Sequence, residues 1–76
     1  MGKITSENYD GKLMVLVDKY GKPVHKGDKV KNFRGEIETI WDGQAPHKPS
    51  STGRVYAGPH KMGVFPGAFN LEWKEA

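Results

Sequence analysis

The sequence predicts an all-β fold, a small barrel of about five short antiparallel strands with one long loop. Three observations carry that prediction. Apolar residues recur at two-residue spacing, no helical stripe of useful length competes, and ten glycines and five prolines punctuate the apolar runs.

Taken in order, residues 1–11 read as a flexible lead and residues 12–74 as one domain. A first strand falls near Leu13 to Val17, with Leu13, Val15 and Val17 on one face. After the turn signals Gly21-Lys22-Pro23 and Lys26-Gly27-Asp28, a second strand runs near Lys29 to Phe33 around Val30. Arg34-Gly35-Glu36 makes a hairpin turn with Gly35 at positive φ, and a third strand follows near Glu36 to Trp41. Alternation there sets Trp41 on the face opposite Ile40. Asp42 to Thr52 is the long loop, stiffened by Pro46 and Pro49, and loops of that length in small domains are often functional. A fourth strand spans about Arg54 to Ala57, a fifth lies at Val64–Phe65, and a last piece at Leu71 to Trp73. The core is expected from Leu13, Val15, Val17, Val24, Val30, Phe33, Ile37, Ile40, Trp41, Val55, Phe65, Phe69, Leu71 and Trp73.

A chain of 76 residues has one small core, of a size that buries only about 60% of its unfolded surface. It has no cysteine, hence neither a disulfide framework nor a thiolate zinc site. No run approaches the roughly 20 apolar residues of a membrane span, and Met1 to Glu7 lacks the apolar segment of a signal peptide. A cytoplasmic protein without membrane contact is the resulting expectation. The net charge of +3 and pI near 9.3 favour an acidic partner only weakly. The cations Lys19, Lys22, Lys26, Lys29, Lys31 and Arg34, with His25, gather in the first half and suggest one basic face.

Lys26-Gly27-Asp28-Lys29-Val30, Gly53-Arg54-Val55 and the closing Gly63-Val64-Phe65-Pro66-Gly67-Ala68-Phe69 resemble SH3 domains over about residues 24–73, which implies an SH3-like barrel. A proline-peptide groove needs aromatics beside an acidic loop. Here Ser50, Ser51 and Thr52 precede Gly53, and Lys19-Tyr20-Gly21-Lys22 is basic, so that ligand is not expected. Phe33-Arg34-Gly35-Glu36, the block Ala45 to Tyr56, Phe65-Pro66 and Leu71-Glu72-Trp73 resemble a group of short, mostly uncharacterised proteins encoded by bacteriophages and prophages. That resemblance covers about residues 20–74 and implies a phage origin without an activity.

His47-Lys48-Pro49-Ser50-Ser51-Thr52-Gly53-Arg54 collects two fixed cations, an imidazole and three hydroxyls, chemistry suited to holding phosphate or carboxylate. The competing reading makes Ser50, Ser51 and Thr52 turn caps beside solvated Lys48 and Arg54. Arg34 at its hairpin tip either reaches a partner or pairs with Glu36 or Glu38. Trp41 and Tyr56 beside Lys29, Lys31 or Arg54 would make a base-stacking face. His25, His47 and His60 have no metal-ligand spacing, so neither metal nor cofactor is expected. Ser50 or Ser51 with His47 and Asp42 supplies the names of a triad without an elbow or oxyanion site, so the chain is not expected to be an enzyme or to take a small-molecule substrate. These observations point to a non-catalytic binding module, a phage accessory protein contacting a host or phage protein. The alternative is a barrel that binds DNA or RNA.

Overall fold

The computed structural model describes residues 2–76. Seven strands and one 3-10 turn follow one another: β1 (Thr5–Glu7), β2 (Leu13–Val17), β3 (Asp28–Lys31), β4 (Ile37–Gln44), β5 (Arg54–Ala57), β6 (Met62–Val64), the turn Pro66–Phe69, and β7 (Glu72–Glu75). All pairings are antiparallel, in two sheets ordered β1-β2-β7 and β3-β4-β5-β6. The fold is all-β, as the sequence predicts, but the barrel is not closed. Residues 18–27, which would have to carry a ladder from one sheet into the other, run through turns at Gly21 (φ 80°) and Gly27 (φ 91°). They meet the first sheet through the isolated bridge between Val17 and Pro23 and the Val24 N–H on the Leu16 carbonyl, and a second isolated bridge joins His25 to Lys3 just before β1. No described helix is long and apolar enough to cross a membrane.

The lead expected to be flexible is built into the fold. Thr5, Ser6 and Glu7 pair with Val15, Met14 and Leu13, and the Ile4 side chain is 0% exposed. The Ile4 N–H donates to the Val24 carbonyl at 3.1 Å, and the Ile4 carbonyl accepts from the Leu16 N–H at 3.0 Å. The Val24 N–H donates to the Leu16 carbonyl at 2.8 Å, so three chain segments lock together around one side chain. Met1 lies outside the described residues.

Around Ile4 the core consists of Leu16, Val24, Ile40, Ala45, Val55, Ala57, Phe69, Leu71 and Trp73, all buried, with Met14, Val30, Val64 and Ala68 packed against it. Leu13, Phe33, Ile37, Trp41 and Phe65, expected in the core, are exposed, while Val15 is only partly buried and Val17 is buried outside this cluster. The β2 run is apolar at all five positions, so period two fits either face, and the ladder settles it by pairing Leu16 with the buried Trp73. Ile37 and Phe33 flank the β3–β4 turn, where the chain leaves the covered part of the sheet. That turn is held by the Asn32 carboxamide oxygen, which accepts the N–H groups of Arg34 (2.9 Å) and Glu36 (3.0 Å), with Gly35 at φ 83°.

Trp73 ties the two sheets together. Its indole rests on the backbone of Gly43 in β4 and of Gly53 just before β5: a Cβ added at Gly43 would lie 2.7 Å from Trp73 Cζ2, and one at Gly53 would lie 2.8 Å from Cδ1 and Nε1. The indole N–H is buried there without a hydrogen-bond partner. Salt links are peripheral. Lys12 Nζ reaches the Glu75 carboxylate at 3.0 Å, and that hydrogen bond holds the Lys12 ammonium above its ordinary pKa, but both groups are exposed and the pair adds little.

Candidate binding groove

The expected loop site overlaps a groove in the surface. A groove of about 450 Å³ lies where β5 and β6 diverge, with Gln44, Ala45, His47, Ser51, Gly53 and Arg54 on one wall. Gly63, Val64, Phe65 and Ala68 make the other wall. A second hollow of about 360 Å³ adjoins it, lined among others by Pro46, Thr52, Pro66, Gly67 and Trp73, and shares Ser51 and Phe65 with the first. Phe65, 75% exposed, is therefore the ridge between two depressions.

Local sequence explains this shape. Strand alternation carries Val64 against the core and Phe65 away from it, and Pro66 follows at the first position of the 3-10 turn, so the chain leaves the ladder with Phe65 extended at φ −69° and ψ 136°. On the opposite wall β4 continues to Gln44, three residues beyond the expected strand end at Trp41, because the extra residue is absorbed by a register shift between Ile40 and Asp42. The loop is correspondingly shorter, running from Ala45 to Gly53 between β4 and β5.

Of the predicted residues, His47, Ser51, Thr52 and Arg54 meet at these two hollows. Tyr56 stands beside Arg54: a Cβ at Gly63 would lie 3.4 Å from Tyr56 Cε1 and 3.6 Å from Arg54 Cδ. Lys48 and Ser50 line neither hollow and are exposed on the loop, where the Lys48 carbonyl accepts the Ser51 N–H at 3.0 Å. Ser51 Oγ in turn accepts the Gly53 N–H at 3.1 Å, so Ser51 caps a turn while lining the groove. Arg34 lies on the β3–β4 turn, outside both linings, with its guanidinium carbon 5.4 Å from the Phe33 ring centre. Among the described residues it makes no ion pair with Glu36 or Glu38. Trp41 is half-exposed, but its Nε1–H donates to the Gly58 carbonyl at 2.7 Å and Lys61 Nζ lies 5.6 Å from its ring centre, so it is tied to the β5–β6 turn.

Sequence reasoning missed Gln44, Ala45, Gly63, Val64, Phe65 and Ala68 as groove residues. Alternation past Val64 was the available signal for Phe65.

The electrostatics are one-sided. His47 and Arg54 are the ionisable groups of the larger groove, and neither forms an ion pair among the described residues. The acid of the smaller hollow, Glu72, is paired with Lys74 at 3.6 Å. Asp42 lies outside the groove, 4.0 Å from Lys26 Nζ, with its Oδ1 accepting the Gly43 N–H at 2.9 Å. Hence Asp42, His47 and Ser50 or Ser51 do not share one lining. No three His, Asp or Glu side chains gather at metal-binding distance among the described residues. The arrangement suits an apolar group lodged against Phe65, Val64 and Ala68 with a carboxylate or phosphate beside Arg54 and His47. Together these features define a small all-β protein with a basic-walled apolar groove at the β4–β5 loop. No protein family, no curated protein and no solved structure matches the chain.

Proposed function

We propose that this chain is a non-catalytic binding module with an SH3-like plan, and that its larger groove takes a segment of a partner protein bearing an apolar side chain next to a carboxylate. The observation that carries the reading is the groove wall itself, apolar at Val64, Phe65 and Ala68, with the Arg54 guanidinium and the His47 imidazole beside them and no carboxylate in the lining. The separation of Asp42 from His47 and the serines supports a role without catalysis. The phage origin and a host or phage protein as partner rest on the resemblance of residues 20–74.

Capture from bacterial lysate on immobilised protein tests the reading. Wild type is expected to retain a protein that Arg54→Glu and Phe65→Ala lose, each by about tenfold or more, as for a charged contact and an aromatic anchor. Equal retention by all three, or by none, overturns it.

A second reading is favoured by the sheet register. Lys29 opposes Thr39, Lys31 opposes Ile37, Asp42 opposes Tyr56 and Gln44 opposes Arg54, which sets Lys29, Lys31, Tyr56 and Arg54 on one outer face of the four-stranded sheet. Single-stranded DNA or RNA on that face should bind at low salt with an affinity that falls steeply as salt rises. Titration at low salt without binding to either nucleic acid eliminates it.

A further inference from the structure

β7 is an edge strand, laddered to β2 alone. Bonded pairs alternate along an antiparallel ladder, and the Ala76 N–H donates to the Leu13 carbonyl at 3.0 Å, so Val15–Lys74 and Val17–Glu72 are the bonded pairs. Leu16, opposite Trp73, is turned the other way: its N–H donates to the Ile4 carbonyl at 3.0 Å and its carbonyl accepts the Val24 N–H at 2.8 Å. The main-chain groups of Trp73 and Glu75 therefore face away from β2, and no described main-chain group bonds them. Two residues before Trp73, the Leu71 N–H donates on that same side to the Pro66 carbonyl at 3.0 Å. The smaller hollow, of about 360 Å³, lies along this edge, because it touches Leu71, Glu72 and Trp73 and no residue of β2. Pro46, Ser51, Phe65 and Pro66 bound it beyond the strand, and Pro46 is held there by the Tyr9 N–H, which donates to its carbonyl at 3.0 Å. Charge commonly guards a bare edge against an added strand. On β7, Glu72 pairs with Lys74 at 3.6 Å and Glu75 with Lys12 at 3.0 Å, so the edge presents no unpaired charge.

We infer that an extended segment of the partner protein adds to β7 as a further strand in this hollow, its backbone bonded to Trp73 and Glu75, with an apolar side chain opposite Trp73 and an acidic residue carried past Phe65 to Arg54. This rests on the partner-binding reading above and specifies its mode. A residue opposite Trp73 sends its side chain to the face of the buried indole, where Phe65 and Pro66 stand, so that position selects an apolar group. The hollow shares Ser51 and Phe65 with the larger groove, so a segment leaving it enters the lining where Arg54 and His47 stand without a carboxylate. A second copy of this chain is disfavoured as occupant. Pro66 already stands opposite Leu71, and the β4–β5 loop bounds the hollow beyond Trp73, which leaves room for one chain and not for the edge of another folded domain. Main-chain bonds supply the affinity and the two hollows the selectivity.

The test uses isotopically labelled wild-type protein and a synthetic six-residue peptide alternating valine and glutamate, with acetyl and amide ends. The expected result is that the Trp73 and Glu75 amides shift on titration and the exposed Glu75 amide exchanges more slowly with solvent. With valine opposite Trp73, the valine nitrogens face β7 and the glutamate nitrogens face away from it. Methylating the valine nitrogens should therefore weaken binding at least about tenfold, since two backbone hydrogen bonds are lost, whereas methylating the glutamate nitrogens should leave it within about threefold. No shift at Trp73 and Glu75 at millimolar peptide, or equal weakening by the two methylation patterns, would overturn the inference. So would a dimer that protects the Glu75 amide without peptide, or the same shifts with an oligonucleotide in place of the peptide. If Arg54→Glu abolishes lysate capture while the Trp73 and Glu75 amides do not respond to peptide, the groove reading survives and strand addition fails.

Discussion

Replacing Ile4 with alanine is expected to destabilise the protein by about 2–5 kcal/mol, on the scale of any fully buried Ile lost from a core. The side chain is 0% exposed and packs in the same cluster as Leu16, Val24 and Ile40, although it stands only four residues from the start of the sequence. Its peptide group is bonded to both Leu16 and Val24, so shifting the backbone to close the cavity would stretch the bonds at 3.0 and 3.1 Å that hold β2 to residue 24. Little relaxation is open to this site, which places the cost toward the upper part of the range. In a domain of this size that is much of the total stability, and the melting temperature should fall by about 10 °C or more. Tyr9→Ala is the matched control: it lies in the same lead segment with its ring exposed, and should change stability by no more than about 0.5 kcal/mol. Urea unfolding of the two variants decides the point. A cost for Ile4→Ala as small as that of Tyr9→Ala would mean that the lead is not part of the cooperative unit.

The reason Ile4 was not legible in the sequence is physical. Met1-Gly2-Lys3-Ile4-Thr5-Ser6-Glu7 has a single large apolar residue after Met1 and no period to count, and β1 exists because β2 offers a free edge to pair with. Tertiary pairing, not local pattern, makes that strand. By contrast Arg54 to Ala57 was legible to the residue, since Gly53 and Gly58 bracket it and alternation buries Val55 and Ala57. Loop chemistry was half legible. The cluster His47, Ser51, Thr52 and Arg54 does converge, because the β4–β5 hairpin brings the two ends of the loop together. Its opposite wall comes from residues some ten positions further on, and no local signal in the loop announces Phe65 as its neighbour.

Gly53→Ala carries the second large effect, and comparison with Gly35→Ala separates its two causes. Both glycines lie at nearly the same left-handed φ, 78° and 83°. An added Cβ at Gly35 meets nothing within 4 Å, so that substitution should cost only the backbone term, about 1–2 kcal/mol. At Gly53 the same atom would lie 2.6 Å from the Gln44 carbonyl oxygen and 2.8 Å from Trp73 Cδ1 and Nε1. The carbonyl belongs to the end of β4 and cannot swing aside. The indole is held from beyond by Gly43, where a Cβ would already stand 2.7 Å from Cζ2. Neither neighbour can give, so an overpacking cost of about 1–3 kcal/mol adds to the backbone term, for a total of about 2–5 kcal/mol. Displacement of the ring should also show spectroscopically: Trp73 is buried and its N–H is unpartnered, so moving it toward water should shift the tryptophan emission of Gly53→Ala to longer wavelength while Gly35→Ala keeps the wild-type spectrum. Because Gly53 also lines the groove beside Arg54, the same substitution should weaken partner capture, whereas Gly35→Ala should not. Equal stability losses for the two variants would show that the approach of Trp73 to the residue 53 backbone does not hold the sheets together.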